Sequence, residues 1–448
     1  MNQELLTDLK VSKVALVPCD SYEQPAVDAA VAKAVELLGG LEQVLEAPQE
    51  ESCGSARAQR ETAGVDQSGG GCDCSGNLQN ALHTAHVTKD SLLILKPNLL
   101  AKADPDRACT THPAVFEAVG RLLQQAGYHH LKYGDSPGNP VIRVEKVAEE
   151  CGIKAAADKL GIPLGRFESG TEVPFPEGRI ADKFVLCDEV LAADGMINIC
   201  KMKTHQLERI TGAVKNTFGC VFGINKSASH AKYATAETFA KMTADLNRLV
   251  KPKLHIMDGI VAMEGNGPQS GTPKKMGVIL AATDPVALDA MFCHLVYLKP
   301  ELVPTNVCGQ EQGVGSFADV VCLTENGVLT AKETASQFGD KSYDVQRSAE
   351  FRGALKPIRF LAPFLEKKPV VHRQRCIGCG ICVNACPVEG KAIAVVKPAG
   401  AERDGRGIAV YDYRKCIKCY CCQEMCPQEA ITVKKSLLAR IADRQWSV

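Results

Sequence analysis

The sequence has no excess of either charge and no long apolar run. Its 448 residues include 52 Lys and Arg against 52 Asp and Glu. Balanced charge excludes a general electrostatic basis for binding nucleic acid, so we expect any anion site to be a local patch. The most apolar window, residues 278–298, is interrupted by Asp284, Pro285 and Asp289, whereas a membrane helix needs about 20 uninterrupted apolar residues. Because residues 1–10 also lack an apolar core, we expect no transmembrane segment, no secretory signal and a cytoplasmic location.

Recognisable nucleotide-binding motifs are also missing. Gly265, Gly267 and Gly271 do not have the spacing of a dinucleotide fingerprint, and no helix pattern follows them. The segment from Gly223 to Ser227 lacks the glycine spacing of a phosphate-binding loop. Without a flavin or nicotinamide motif, two-electron chemistry would need two one-electron steps or a further cofactor.

Cysteine, by contrast, is abundant and unevenly placed. There are 21 cysteines, an odd number, with a dense group near the C-terminal end. This distribution is not that of a secreted disulfide framework and indicates a reducing compartment. The spacing C-x-x-C-x-x-C-x-x-x-C-P occurs twice, first at Cys376, Cys379, Cys382 and Cys386, and again at Cys416, Cys419, Cys422 and Cys426.

The repeated spacing predicts two cubane [4Fe–4S] clusters. Three thiolates two residues apart wrap a loop around three corners of a cubane, and the fourth, before proline, reaches the partner cluster. The first cysteine set is therefore Cys376, Cys379, Cys382 and Cys426, and the second cysteine set is Cys416, Cys419, Cys422 and Cys386. A zinc site would use four ligands in two pairs rather than two quartets ending in Cys-Pro. Cys421 fits no ligand position and is predicted to be a bystander thiol.

Residues 370–435 resemble the bacterial two-cluster ferredoxins. Apolar segments at 392–396 and 430–433 follow the two quartets and are predicted strands of two related halves. An insertion at 397–406, rich in Gly, Ala and charge, separates the halves. The resemblance implies an electron relay, and because such clusters are oxygen-sensitive we expect an anaerobic or facultatively anaerobic source. Residues 346–369 form a predicted linker, and residues 436–448 form a C-terminal tail.

Residues 1–345 are predicted to form an α/β domain with a largely parallel or mixed sheet, because strand and helix patterns alternate. The expected strands are 14–17, 92–95, 131–133, 196–200, 254–257 and 278–282. Helices are expected over 27–45, after a hydroxyl cap at Thr110 or Thr111 with Pro113 in the first turn, and after Asp284. The segment 49–77 is rich in Gly, Ser, Gln and Glu and is predicted to be a disordered insertion.

A basic segment suggests an anion or carboxylate pocket in this domain. Lys201, Lys203 and His205 follow an apolar strand, and in an extended chain alternate residues share one face. Between residues 201 and 232 there are six Lys or Arg and two His but one acidic residue. Lys215 and Asn216 lie within this segment, among glycines and apolar residues. A solvated basic surface is the alternative interpretation.

Polar residues after other predicted strands are further candidates for ligand binding. Asn98 and Asp135 each follow a strand, and ligands of open α/β sheets bind beyond the carboxyl ends of strands. Glu264 lies in a predicted loop that begins at Asp258 and ends with residues 264–268. Turn-forming Asp and Asn are common without function, and Asp284 is expected to cap a helix.

Several of these segments together resemble domain-of-unknown-function family 362, often fused to a two-cluster ferredoxin module. The match spans about residues 12–300 together with the tail. It rests on Lys-Pro-Asn at 96–98, Gly-Asp-Ser-Pro-Gly at 134–138, Lys-Met-Lys-Thr-His at 201–205, Thr-Gly-Ala-Val-Lys-Asn-Thr-Phe-Gly at 211–219, Met-Glu-Gly-Asn-Gly-Pro at 263–268 and Asp-Pro-Val-Ala-Leu-Asp at 284–289. The resemblance implies no reaction, since the family's chemistry is not established.

Three functions remain open from the sequence. The first is a ferredoxin-type electron-transfer protein whose large domain binds a redox partner protein or a small anionic ligand. The second is a reductase of a carboxylate- or phosphate-bearing substrate, in which the nearer cluster supplies electrons and His205 or His230 delivers protons. The substrate would be held by Lys201, Lys203, Lys215 and His205. The third is a non-enzymatic redox sensor or assembly factor that uses the cysteines of the segment 53–74.

Overall fold

The computed structural model describes residues 11–46, 82, 86–139, 142–223, 225–348, 367–397 and 407–434. The predicted insertion at 49–77, residues 349–366 of the predicted linker, residues 398–406 of the second insertion and the tail at 436–448 lie outside the described residues.

The large domain is built on a mixed sheet of nine strands, which confirms the predicted fold class. Its strands are β1 (Ser12–Pro18), β2 (Leu93–Pro97), β3 (Leu131–Tyr133), β6 (Gly195–His205), β7 (Arg209–Thr211), β8 (Leu254–Glu264), β9 (Thr272–Ala282), β10 (Val320–Thr324) and β11 (Gly327–Thr330). The order is β11-β10-β1-β9-β8-β6-β2-β3, with β7 beside β6. The run β8-β6-β2-β3 is parallel throughout, so these strands end at the same edge. A separate hairpin joins β4 (Gly170–Pro174) and β5 (Lys183–Cys187).

Helices cover both faces of the sheet. They are α1 (Gln24–Leu37), α2 (Leu41–Glu46), α3 (Pro113–Gln125), α4 (Val144–Glu150), α5 (Ile153–Leu160), α6 (Asp188–Ala192), α7 (Ala213–Asn216), α8 (Asn225–Lys232), α9 (Ala236–Val250), α10 (Pro285–Leu295), α11 (Pro304–Glu311) and α12 (Ala331–Phe338). Short 3-10 turns occur at Pro105–Arg107, Thr217–Cys220 and Pro300–Leu302. In β1, Ala15 and Val17 pack into one core and Val14 and Leu16 into a second core on the opposite face. This two-sided burial explains why the strands are continuous apolar runs.

Several local predictions are confirmed by the structure. The strand predicted at 131–133 has those bounds, and the helix predicted with Pro113 in its first turn begins at Pro113 and ends at Gln125. Asp284 caps α10, because its side chain accepts from the backbone N–H groups of Val286 and Ala287. Each predicted strand coincides with an observed one, although β6, β8 and β9 are longer than expected.

Three local predictions are wrong. The helix expected over 27–45 is two helices, because Gly39 and Gly40 take positive φ angles that end the first one. His112, rather than a threonine hydroxyl, caps α3, since the Thr111 hydroxyl instead donates to the Ile199 carbonyl. Residues 258–264 are not a loop but the second half of β8, which continues through an irregularity after Gly259.

The ferredoxin-like region (described residues 367–397 and 407–434) consists of two similar halves. Each half has a cysteine loop leading into one helical turn, α13 (Ile381–Asn384) or α14 (Cys421–Glu424). Strand β12 (Lys368–Val371) pairs antiparallel with β15 (Ile431–Lys434), and β13 (Ile393–Val396) pairs antiparallel with β14 (Ile408–Tyr411). The region's core consists of cysteines and small apolar side chains from both halves.

Candidate functional site

The two cysteine sets surround two separate spaces in the ferredoxin-like region. All four cysteines of the first set line one space, together with Ile377 and Val395. All four cysteines of the second set line the other, together with Tyr411 and Ile417. Each space thus combines three cysteines of one half with the fourth cysteine of the other half, which is the crossed arrangement that the spacing predicts for a cubane pair.

Hydrogen bonds to sulfur in both sets fit thiolate ligands. The Ala409 N–H donates to Cys376 Sγ at 3.5 Å, and the Ala430 N–H donates to Cys426 Sγ at 3.3 Å. In the second set the Ala392 N–H donates to Cys386 Sγ at 3.4 Å, and the Tyr411 hydroxyl lies 3.0 Å from Cys422 Sγ. Donors aimed at sulfur stabilise the negative charge of cluster thiolates. No group of three or more His, Cys, Asp or Glu in the described residues is placed to hold a single metal ion.

A cavity of about 720 Å³ lies between the large domain and the ferredoxin-like region. We call it the interdomain cavity. Six of the predicted site residues line it, namely Asn98, Asp135, Lys203, Lys215, Asn216 and His230. The ferredoxin-like region contributes Cys386, Cys421, Glu424 and Met425 among others. The volume is within the range of about 300–1,000 Å³ that small-molecule sites occupy.

The parallel strands explain how distant polar residues reach the interdomain cavity. Asn98 follows β2, Asp135 follows β3 and Lys203 lies near the end of β6, and these strands are neighbours in the sheet. Lys203 Nζ donates to Asn98 Oδ1 at 2.9 Å and to the Cys109 carbonyl at 2.5 Å. Asn98 Nδ2 in turn donates to Asn216 Oδ1 at 2.7 Å. The arrangement follows the rule that ligands of α/β sheets bind beyond the carboxyl ends of strands.

Asp135, which lines the cavity, forms a buried ion pair with Lys96. Its Oδ1 lies 2.9 Å from Lys96 Nζ, and its Oδ2 accepts from the Leu99 N–H at 2.7 Å. Gly219 packs directly against this carboxylate, and a Cβ atom there would overlap the Asp135 side chain. The glycine that ends the segment 211–219 is therefore required by this close approach.

Four lysines line the interdomain cavity, and none forms an ion pair with a carboxylate of the described residues. Lys226 donates to the carbonyls of Ser136 and Pro137, and Lys391 donates to the Cys386 carbonyl at 2.6 Å. Lys215 contacts aromatic rings, with its Nζ 5.8 Å from the centre of the Phe218 ring. Carbonyl oxygens and ring faces do not neutralise a cation, so positive side chains outnumber the two lining carboxylates, Asp135 and Glu424.

Burial weakens the charge on two of these lysines. Desolvation lowers the pKa of Lys203 to about 7 and that of Lys226 to about 8, which nearby Asp135 partly opposes. A bound anion would favour the protonated forms of these two lysines. It would bind more tightly at a pH at which both lysines are protonated. Lys203 is therefore also able to give up a proton near neutral pH.

His230 is a buried ring at the cavity wall. It stacks on Phe239 with ring centres 4.5 Å apart and meets the edge of Phe218 at 5.5 Å. Burial lowers its pKa to about 4, so the ring is neutral at physiological pH. Its Nδ1 has no hydrogen-bond partner among the described residues. The ring therefore contributes a neutral surface to the cavity wall.

His205 lies behind the cavity and contacts Glu424 across the domain boundary. Its Nδ1 accepts from the N–H groups of Leu207 and Glu208, both at 3.1 Å, so its proton is on Nε2. Nε2 is 3.0 Å from Glu424 Oε1, although the two atoms are not aligned for a regular hydrogen bond. Burial and Lys215 lower the pKa of His205 to about 4. Burial alone would raise the pKa of Glu424, but His205 and Lys215 outweigh it and hold the pKa at about 2.

Two predicted ligand-binding residues lie outside the interdomain cavity. Lys201 is buried, and its Nζ donates to Asp258 Oδ2 at 2.7 Å and to the Tyr22 hydroxyl at 3.0 Å. Glu264 accepts from the Asp344 N–H at 2.8 Å at the far end of β8. Both side chains therefore bind neighbouring protein groups rather than line the cavity. The nine described cysteines before residue 370 are all buried and free of disulfides.

The sequence interpretation missed several residues of the cavity. Lys226 lies in a glycine-containing segment that was considered only as a phosphate loop, and Lys391 follows the first quartet without any motif. Glu424 lies between two cysteines of the second quartet. An acidic residue at that place, next to a predicted cluster, was the sequence feature that could have marked it as a site residue. Cys421, predicted to be a bystander, also lines the cavity.

Comparisons with known proteins agree with this architecture. Residues 93–294 match the family described as Domain of unknown function (DUF362), and residues 375–430 match a 4Fe-4S dicluster domain. The chain is 36% identical over 227 residues to the Thylakoid-associated protein sll1697 of Synechocystis sp., which covers 50% of this chain and 69% of that protein. It is 37% identical over 65 residues to the Uncharacterized ferredoxin MJ0722 of Methanocaldococcus jannaschii, which covers 14% of this chain and 75% of that ferredoxin.

One further finding concerns membranes. Among the helices that the structure describes, none has both the length and the apolar character needed to cross a bilayer.

With the family matches and the crossed cysteine sets taken together, the predicted family is confirmed: the chain belongs to the DUF362 family and carries a C-terminal 4Fe–4S ferredoxin-like domain of the kind used for iron–sulfur electron transfer.

Proposed function

We propose that this chain holds two [4Fe–4S] clusters and acts as a ferredoxin-type electron-transfer protein whose interdomain cavity binds a small anionic ligand. The first cysteine set would hold one cluster and the second cysteine set the other. Bound clusters supply single electrons, and the described residues of the large domain supply the binding site. The observation that carries the proposal is the group of four cavity lysines without a carboxylate partner among the described residues.

The position of Cys386 supports a direct connection between the cavity and the second cluster. Cys386 lines both the interdomain cavity and the space surrounded by the second cysteine set. A molecule in the cavity would therefore contact a residue that holds the second cluster. The chain itself would position the molecule, with Lys215 and Lys203 facing its anionic group and apolar side chains such as Phe218 and Met425 contacting the rest.

A reductase of a carboxylate- or phosphate-bearing substrate is the second candidate function. It is favoured by proton donors at the cavity, because the pKa of Lys203 is lowered to about 7 by burial. His230 also lines the cavity, as the sequence interpretation predicted for a proton-delivering group. A reduction that adds electrons one at a time requires such donors to balance the charge that develops. His205 would act indirectly, because Glu424 stands at the cavity in front of it.

The experiment that tests both candidates is anaerobic. Clusters are reconstituted, about eight irons per chain are confirmed as expected for two cubanes, and the protein is reduced with dithionite, which is then removed. A panel of small carboxylates and phosphate monoesters is added, and the visible absorption band is followed for reoxidation. Binding of each compound to the oxidised protein is measured separately by calorimetry.

Lys215→Met removes one cavity charge and keeps the apolar stem. Lys183→Met is the matched control, because Lys183 is exposed on β5 and pairs with Glu172. Binding that is lost in Lys215→Met and kept in Lys183→Met supports the anion site. Reoxidation by the same compound makes the protein a reductase, and binding without reoxidation leaves it an electron carrier with a regulatory ligand. If no compound binds and only a protein fraction reoxidises the clusters, the cavity ligand is ruled out.

The third function, a redox sensor or assembly factor, rested on the cysteines of the segment 53–74, which lies outside the described residues. A cytoplasmic location and an anaerobic source stay predictions from cysteine chemistry and composition.

A further inference from the structure

A row of buried polar side chains leads from the core of the large domain to the interdomain cavity. It begins at His255 on β8, passes through Asn198 on β6, Asn216 on α7 and Asn98 after β2, and ends at Lys203. We call these five residues the asparagine network. All five side chains are buried. Asn98, Asn216 and Lys203 line the cavity, whereas Asn198 and His255 lie behind its wall.

Asn198 is the member of the network whose amide is bonded on every side. Its Oδ1 accepts from Asn216 Nδ2 at 2.7 Å. Its Nδ2 lies 2.9 Å from His255 Nδ1, the neighbouring residue on β8, and donates to the Ala213 carbonyl at 2.9 Å. Both N–H groups and the oxygen of this amide are therefore used, and the side chain is fixed in one orientation.

Lys203 fixes the direction of the whole network. A lysine ammonium has three donors and no acceptor, so Asn98 must present its oxygen to it, at 2.9 Å. Asn98 Nδ2 then donates to Asn216 Oδ1 at 2.7 Å, and the same order repeats between Asn216 and Asn198. All three amides thus point their C=O groups towards Lys203. Aligned dipoles with the negative end at a cation favour its charge, and hydrogen bonds in a row polarise one another.

Burial acts on Lys203 in the opposite direction. Desolvation is the largest influence and lowers its pKa to about 7. The titratable groups that face it are Cys109 before α3, Lys215 on α7, Glu424 on α14 and Asp135 after β3, of which only Lys215 disfavours its charge. A lysine with a pKa near 7 changes its charge at neutral pH in response to small changes around it. The orientation of the Asn98 oxygen therefore matters for the charge of the cavity.

We propose that Asn198 is a positioning residue of the anion site, which keeps Lys203 charged by holding the amides of the asparagine network in one direction. Without the Asn198 oxygen, the Asn216 amide is free to turn over and to present its NH₂ group to Asn98. The Asn98 oxygen would then be drawn away from Lys203, and the cavity would lose positive charge at neutral pH. The inference rests on the proposed anion site and deepens it, but it does not rest on the clusters.

The charge of Lys203 is measured directly by NMR on the oxidised holoprotein, with ¹³C at the Cε atoms of its lysines. The Cε chemical shift reports loss of the ammonium proton, and the Lys203 signal is assigned by its absence in Lys203→Arg. The titration runs from about pH 5 to 9, on both sides of the lowered pKa of Lys203. Binding of sulfate, whose charge is constant over this range, is measured by calorimetry at the same pH values.

Asn198→Leu and Asn198→Val remove the oxygen that holds Asn216. Loss of this hydrogen bond is expected to raise the acid dissociation constant of Lys203 by about 5-fold, so that its midpoint falls by about 0.7 pH unit. The affinity for sulfate at pH 7 should fall with it. Asn198→Asp keeps an oxygen towards Asn216 whether the carboxyl group is ionised or protonated. Its Lys203 midpoint should therefore equal or exceed that of the unaltered protein.

Asn306→Leu is the matched control. Asn306 on α11 is as fully buried as Asn198, but its amide lies 3.7 Å from Cys293 Sγ and donates to the Pro300 carbonyl, outside the asparagine network. The Lys203 midpoint should be unchanged in this variant. Iron content and circular dichroism show that each variant is folded.

Two results would overturn the proposal. One is a Lys203 midpoint that the two apolar substitutions of Asn198 leave unchanged. The other is a fall of the same size in Asn198→Asp or in Asn306→Leu, because lost packing rather than the lost oxygen would then be the cause. Sulfate that does not bind to the unaltered protein, with the midpoints as expected, would reject the cavity ligand and keep the effect of Asn198 on Lys203. Sulfate binding with unshifted midpoints would keep the anion site and reject the role of Asn198.

Discussion

His205 Nε2 lies 3.0 Å from Glu424 Oε1, and this contact joins the end of β6 in the large domain to the second cysteine loop. The imidazole is fully buried and neutral, since two backbone N–H groups occupy its Nδ1. The carboxylate keeps its negative charge because His205 and Lys215 outweigh the effect of burial and hold its pKa at about 2. Glu424 is therefore an acidic group in a cavity otherwise dominated by lysines, and it opposes the binding of an anion.

Glu424→Gln is expected to raise the affinity of the interdomain cavity for an anion by about 5- to 10-fold. The change removes one negative charge and keeps the oxygen that faces His205, and a charge contact of this kind corresponds to about 1 kcal/mol. Calorimetric titration with the compound found in the anion panel provides the measurement. Glu389→Gln, in the same region but outside the cavity lining, is the control. A lower affinity in Glu424→Gln would show that Glu424 contacts the ligand as a hydrogen-bond partner instead.

Anion binding is expected to weaken as the pH rises from 6 to 9. Burial lowers the pKa of Lys203 to about 7 and that of Lys226 to about 8, so both are charged below these values and lose the charge above them. Affinity measured at half-unit pH steps should fall most between pH 7 and 8.5. Lys203→Arg keeps its charge throughout this range, and the fall below pH 7.5 should be reduced in that variant. A pH profile identical to that of the unaltered protein would separate Lys203 from the anion site.

Cys386→Ser is expected to lower the iron content, whereas Cys421→Ser is expected to leave it unchanged. Cys386 lies within the second cysteine set, so its loss should reduce iron and sulfide to about half of the reconstituted value for a two-cluster protein. Cys421 lines the interdomain cavity but is not among the residues that surround either space. Its serine variant should retain full iron content. Loss of iron in Cys421→Ser would require a revised ligand assignment for the second cluster.

Folding stability is expected to fall as the pH decreases from about 6.5 towards 5. Burial lowers the pKa of His205 and His230 to about 4 and that of His255 to about 3, all below the ordinary value of 6.5. In this window the unfolded chain binds protons that the folded chain does not, and each such histidine contributes about 1.4 kcal/mol per pH unit. Anaerobic urea unfolding between pH 5 and 7.5 gives the slope.

Substitution of one histidine tests that assignment. His255→Gln should reduce the slope by about 1.4 kcal/mol per pH unit, whatever it does to the absolute free energy of unfolding. His129→Gln should not change the slope, because His129 is exposed. An unchanged slope in His255→Gln would mean that this ring is protonated in the folded protein.

Most of the correct predictions came from the cysteine spacing and from the apolar runs. Ligand spacing in a cubane loop is a local property, since three thiolates within seven residues reach one cluster whatever the rest of the chain does. The buried strands were predictable for a similar reason, because continuous apolar segments such as 14–17 and 278–282 are stable only inside a covered sheet. The proposed polar residues Asn98, Asp135 and Lys203 followed from their positions after strands.

Other features depended on partners far away in the sequence. Lys201 and Lys203 are two residues apart on one strand, yet Asp258 neutralises the first and an amide and a carbonyl oxygen solvate the second. No local pattern distinguishes these two lysines, because the difference comes from β8 beside Lys201 and from the segment after β2 beside Lys203. The cap of α3 was misassigned for a related reason, since Thr111 is occupied by a neighbouring strand.

By itself, the sequence determined the crossed cysteine sets, the α/β fold class and the family, because each follows from short-range spacing or from motifs in a set order. Tertiary structure alone decided that the lysines of the large domain and the second cysteine loop enclose one cavity, with Glu424 inside it. The physical reason is that the charge state and the exposure of a side chain depend on what packs against it. Here the groups that pack together are separated by more than 200 residues, as His205 and Glu424 are.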